Sequence, residues 1–359
     1  MRVHLLVLPM LTFDISMPLA LLGLTVASLL LSGRTEQKLK TAFEEREFKT
    51  RDAILFVALI TIAVSIVVFI PSYALLAVFL FSYSALLFTF SLLFSSMSRR
   101  RAQGFFFGVG LGGLAAGLTA LLIGSGPFRF LGWASLGFAA FAFAAVVFEQ
   151  FKANVKMRWH LAVSAPVLFL LVFFLFMYGK NTYLALVLLD VAGAIFAVLI
   201  TLYLASLFTW KVTFIFAALL TVMDIILVLV TGFMVTAAEH VAGIGLPVLI
   251  TLPTLPLLST AGSIRFLSLG LGDFFFAGTL ATQTYKKYGR NVALVSAVTM
   301  TLSFAVFEAA LLSTNFGAFP GTVMIIIGWL PVVGWKLLSD RKTKSNIAVE
   351  NKRLENKVG

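Results

Sequence analysis

Five carboxylates lie within long apolar runs of this chain: Asp14, Asp190, Asp224, Asp273 and Glu308. An ionised acid near the centre of a bilayer costs roughly 2.5–3.5 kcal/mol on insertion scales, so each position needs a partner, a proton or a task. Asp224 follows Lys211 by thirteen residues, and Asp273 precedes Lys286 by thirteen. At a helical rise of about 1.5 Å per residue, both lie about 20 Å from the nearest charged rim. Asp14, Glu308 and Asp190 stand twenty, eighteen and twenty-one residues from Arg34, Arg290 and Lys211, which sets them further outward. Two facing carboxyls cannot both ionise easily, because the first charge opposes the second. They share one proton. One carboxylate then acts as general base on a water, while the other hydrogen-bonds the scissile carbonyl and later helps protonate the amine. That is aspartic-type peptide hydrolysis. Gly270 and Gly272, beside Asp273, carry no side chain and leave room for a peptide backbone. Taken singly, any one of the five acids is explained as well by a hydrogen bond between helices.

Such acids need a membrane around them, and the composition supplies one. Of 359 residues, 60 % are hydrophobic and 12 % charged, with a mean hydropathy of +1.05. A soluble domain cannot hide that much apolar surface. Apolar runs near twenty residues long, each able to cross a hydrocarbon core about 30 Å thick, fall near residues 4–32, 53–70, 73–96, 104–124, 128–149, 159–178, 182–207, 211–236, 266–284, 291–313 and 319–338. The expected fold class is an all-α polytopic membrane protein. The first run is too long for the apolar region of a signal peptide and has no clear cleavage site, so it reads as a span.

Charge placement sets the expected orientation. With the N-terminus outside, every Lys and Arg falls on the inner side except Arg2, Arg129, Lys180 and Arg265. This is the positive-inside pattern, and it predicts a cytoplasmic C-terminus in the cell membrane. The net charge of +12 is therefore topological, and no nucleic-acid partner is expected. One run, Gly243 to Leu258, carries three prolines over about sixteen residues. It reads as a re-entrant, interfacial or extended segment, since a full span there would move Lys286, Lys287 and Arg290 outside. Residues 339–359 read as a polar, mobile cytoplasmic tail.

Other patterns carry little chemistry. Gly108 to Gly113, "GVGLGG", matches a dinucleotide fingerprint by letter but lies in an apolar span with no acid about twenty residues on. Its glycines, as Gly108/Gly112 and Gly113/Gly117, suit close helix packing instead. The chain has no cysteine, and its histidines, His4, His160 and His240, have no ligand spacing. No metal and no cofactor are expected.

The ordered set of motifs resembles the intramembrane aspartyl proteases of the presenilin and signal peptide peptidase family, in a prokaryotic, archaeal-like form. That family carries Tyr-Asp in one span, Gly-x-Gly-Asp in the next and Pro-Ala-Leu at the start of the last. Here Met223-Asp224, Gly270-Leu271-Gly272-Asp273 and Pro320-Gly321-Thr322 stand in those places, over roughly residues 211–338. Met223 removes a tyrosine hydroxyl, and Gly321-Thr322 keeps the proline break but loses an apolar wall. The resemblance implies a nine-span bundle with two added N-terminal spans. It divides the chain into those spans at 1–72, the first part of the bundle at 73–207, the catalytic part at 208–338 and the tail. It implies Asp224 and Asp273 as catalytic residues. Gly270, Leu271, Gly272, Pro320, Gly321 and Thr322 become substrate-binding, and transmembrane segments within the lipid bilayer become the substrates. Family members also pair an extended substrate with a strand between the two aspartate helices; Gly243 to Leu258 fits that place, and fits docking to the membrane equally well.

The expected activity is thus an intramembrane aspartic endopeptidase of signal-peptide-peptidase-like orientation. A prepilin-peptidase-like protease would hold its acids nearer the cytoplasmic surface and lack the proline motif. A proton-coupled transporter would use the five acids as a relay and is expected to show an inverted repeat, which is not evident here.

Overall fold

The computed structural model describes residues 12–42, 49–70, 98–123, 127–151, 183–244, 249–260, 263–314 and 318–358. The runs expected at 73–96 and 159–178 lie outside these. Among the described residues the chain is an all-α membrane protein with two small β-hairpins, and five of its helices are long and apolar enough to cross a bilayer. The helices are α1 (Ser16–Ala42), α2 (Thr50–Phe69), α3 (Arg99–Ile123), α4 (Pro127–Phe151), α5 (Tyr183–Leu207), α6 (Trp210–Ile225), α7 (Phe233–Ile244), α8 (Leu271–Tyr288), α9 (Arg290–Thr314) and α10 (Gly321–Val358).

Helix α8 is the hub. Every residue from Phe274 to Thr284 is buried, and α1, α5, α6, α9 and α10 all pack against it. Apolar burial does not drive helices together in lipid, because lipid tails are as apolar as leucine, so close packing and hydrogen bonds must do so. Both are present. Gly278 faces Thr201 so closely that a Cβ would come within 2.6 Å of its methyl. Gln283 donates from Nε2 to the carbonyls of Ala205 (2.6 Å) and Phe208 (2.9 Å), which close the end of α5. Trp329 of α10 donates to Thr284 Oγ1 at 2.9 Å. Lys286 and Lys287 occupy the last turn, where cations complement the helix dipole. Gly289, at φ 87°, then turns the chain directly into α9.

At the crossing of α9 and α10, Gly328 lies against backbone: an added Cβ would sit 2.6 Å from Met300 Cα and 2.7 Å from the Thr299 carbonyl carbon. Backbone cannot swing aside. Gly328→Ala is therefore expected to cost about 1–3 kcal/mol by overpacking, read as a lower melting temperature in detergent. An unchanged melt would mean that the two helices do not cross this closely.

Three elements depart from the sequence expectation. The run at 211–236 is not one helix: α6 ends at Ile225 and a wider π-turn spans Ile226–Val230. The chain then breaks at Gly232, with φ 69°, before α7. The run at 266–284 begins as a strand. Phe266–Gly270 (β4) pairs antiparallel with Leu249–Pro253 (β1), Thr251 opposite Ser268, and the short strands β2 (Ser259–Thr260) and β3 (Ser263–Ile264) pair between them. Finally, the polar segment expected as a mobile tail continues α10 as helix to Val358.

The glycines of α3 serve packing. Gly113 and Gly117 fit against Ser135, Leu136 and Gly132 of α4, and Gly110 sits under the Phe143 ring, whereas Gly108 and Gly112 have no neighbour within 4 Å. Helix α1, from the segment read as an addition to the bundle, packs directly on α5, α8 and α9.

Candidate active site

All of the candidate residues except Asp224 are placed by helix starts. Gly270 is the extended N-cap of α8 (φ −66°, ψ 142°), so Leu271, Gly272 and Asp273 fill its first turn. The Asp273 carboxyl lies beside the Gly270 backbone, its Oδ2 3.4 Å from where a Gly270 Cβ would stand. The positive end of the α8 dipole faces it as well. Leu271 is buried, Gly272 is exposed and Asp273 keeps partial exposure.

Asp224 lies at the end of α6, just before the π-turn, and is 9 % exposed. Its partner comes from α10. Pro320 supplies the first carbonyl of that helix, accepting from Met324 N at 3.4 Å, which suits a residue with no N–H to leave unpaired. Thr322, in the first turn, donates to Asp224 Oδ2 twice: from its hydroxyl at 2.6 Å and from its amide at 3.2 Å. Gly321, one residue earlier, abuts the other acid. A Cβ there would meet Asp273 Oδ1 at clashing distance, Cγ at 2.7 Å and Oδ2 at 3.0 Å. Consecutive residues of one helix turn thus touch the two carboxyls, which are close enough to feel each other's charge.

The other acids do different work. Asp14 is not inside a span: it precedes α1 and caps it, accepting from Met17 N (2.9 Å) and from Ser16 N (3.1 Å) and Oγ. Its Oδ1 also accepts Leu255 N at 2.6 Å, while the Leu255 carbonyl accepts Ile15 N at 2.9 Å. Burial opposes ionisation of Asp14, but the hydrogen bonds from Met17, Leu255 and Ser16 prevail and hold its carboxyl below the usual range. Asp190 of α5 accepts Thr251 N at 2.9 Å. Two acids therefore tether β1 and the residues after it to α1 and α5. Glu308, on α9, is buried near Asp14, and its Oε2 has no hydrogen-bond partner among the described residues.

Sequence reasoning paired Asp224 with Asp273 by depth, and the fold brings them together. It placed Pro320, Gly321 and Thr322 beside substrate. In the structure Gly321 and Thr322 touch the acids themselves. The tethering roles of Asp14 and Asp190 were missed, since hydropathy does not show which acid meets a backbone N–H. Among the described residues no group of three or more His, Asp or Glu could hold a metal ion. Comparison with protein-family models, with curated proteins and with solved structures found no match to this chain.

Proposed function

We propose that this protein is an intramembrane aspartic endopeptidase that hydrolyses peptide bonds of transmembrane segments. The observation that carries the reading is the meeting of Asp224 and Asp273 at the first turn of α10. With one proton between them, the ionised carboxylate removes a proton from water as the water oxygen attacks the scissile carbonyl carbon. The protonated partner gives its proton to the carbonyl oxygen. As the C–N bond of the resulting diol breaks, the leaving amine takes the proton from the base, and the diol hydroxyl returns one to its partner. Both carboxyls end as they began. The partial exposure of Asp273 and the exposure of Gly272 give water and a backbone a side from which to approach. The charged ends near Lys211, Lys286 and Lys287 are read as cytoplasmic, so preferred substrates are single spans with a cytoplasmic N-terminus.

The hairpin supplies a binding edge. Thr251 gives its N–H to Asp190 and not to β4, so Thr251 and Ser268 form a pair whose backbone groups point away from the ladder. The Thr254 N–H to Arg265 carbonyl bond (3.1 Å) keeps the same alternation. On the β1 side the outward N–H, that of Thr251, is taken by Asp190. On the β4 side the Ser268 N–H and C=O face outward, two residues before Gly270, where an extended substrate can add as a strand. Ser268→Pro removes that N–H without touching a β1–β4 backbone bond. It is expected to raise KM about tenfold, the loss of roughly one hydrogen bond, with the melting temperature little changed. An unaltered KM would place the substrate elsewhere.

The test of the activity is incubation of purified protein in detergent with labelled transmembrane peptides, the products mapped by mass spectrometry. Failure to cut any peptide of the preferred orientation would end the reading. The relay alternative draws less support, because Asp14 and Asp190 are engaged by backbone N–H groups.

A further inference from the structure

The geometry points to Thr322 as a positioning residue that makes Asp224, and not Asp273, the base of the pair. The inference rests on the protease reading and adds to it a division of labour.

The two acids are held unequally. Asp224 Oδ2 receives two donors from one residue, the Thr322 hydroxyl at 2.6 Å and its amide at 3.2 Å. Hydrogen bonds of this kind favour the ionised form of a carboxyl, and they fix one of its oxygens while leaving the other for water. For Asp273 the close neighbours are glycines: Gly270 and Gly321 lie against its carboxyl. Apart from Asp273, the residues beside Asp224 in sequence are apolar: Met223 precedes it, and Leu227, one turn on, is buried. Thr322 is itself 5 % exposed, so water does not compete for its hydroxyl. A threonine here contributes what a leucine in the same place cannot, a side-chain donor aimed at a carboxylate.

A capping hydroxyl that merely started α10 would bond to its own helix. Thr322 instead spends its hydroxyl on a residue 98 positions away, across to α6. The contact fixes the carboxylate plane of Asp224 relative to Asp273, and a base displaced by about 1 Å loses on the order of a hundredfold in rate.

The test compares Thr322→Ser with Thr322→Ala in the peptide-cleavage assay, two variants that differ by one hydroxyl and neither larger than threonine. Thr322→Val, of threonine's shape, is run alongside. The expected result is kcat within about threefold of wild type for serine, and about 10- to 100-fold lower for alanine and valine, with KM nearly unchanged. The amide donor survives in all three, so activity should fall without vanishing. If alanine cuts as fast as serine, or if the loss appears in KM alone, the positioning role is overturned while the protease reading stands. If wild type cuts nothing, both fall together.

Discussion

Asp224→Ala and Asp273→Ala should each abolish cleavage, by at least about a thousandfold in kcat, while the protein remains folded in detergent. General acid–base catalysis by a positioned group is worth about 10²–10⁴-fold, and here each carboxyl serves as base or acid in both halves of the reaction. The double variant should be no worse than either single one, because groups that act as a unit are not additive. The folded state should survive for different reasons at the two sites. Asp273→Ala removes a carboxyl flanked by Gly270 and Gly321 at the start of a helix that is buried along most of its length. Asp224→Ala leaves the Thr322 hydroxyl and amide without their acceptor, at a cost of about 1–3 kcal/mol, so its melting temperature should fall further. Residual cutting within tenfold of wild type by either variant would remove that aspartate from the chemistry.

Gly321→Ala is the second large effect. Alanine is a stronger helix former than glycine by about 1 kcal/mol, and it is the residue that the resembling family carries at this place. A stability gain would be the ordinary expectation. In this chain the added methyl meets the Asp273 carboxyl, 2.7 Å from Cγ. Either the carboxyl turns away or α10 retreats and carries Thr322 off Asp224. Both outcomes disassemble the pair, and a fall in kcat of about 10- to 100-fold is expected. Full activity in Gly321→Ala would show that the working arrangement holds α10 further from Asp273 than it stands here.

Residue types and depth made the pair legible. Asp224 and Asp273 lie equally far from Lys211 and Lys286 on adjacent antiparallel runs, and helical rise converts equal spacing into equal height. Hydropathy could not show that Phe266–Gly270 is a strand, because a short apolar run fits either a strand or the first turn of a buried helix. The choice is made by pairing with β1 and by the extended Gly270, both tertiary facts. Asp14 was read into a span because the apolar run of residues 4–32 flows through it, yet its carboxyl caps a helix that starts two residues later. The π-turn after Asp224 is silent in sequence: Ile226–Val230 reads as "ILVLV", which favours no helix pitch over another. The helical tail was hidden by its polarity, although polar composition alone does not forbid a helix continued from an apolar one.

The start of α10 also makes the site all-or-none. Gly321 and Thr322 are separated by one helical step, about 1.5 Å along the axis and 100° around it, and each answers to a different aspartate. An axial slide or a twist of that helix removes both from their partners at once. Assembly of the dyad is thereby tied to the register of a single helix, as a key with two adjacent teeth either seats in its lock or does not.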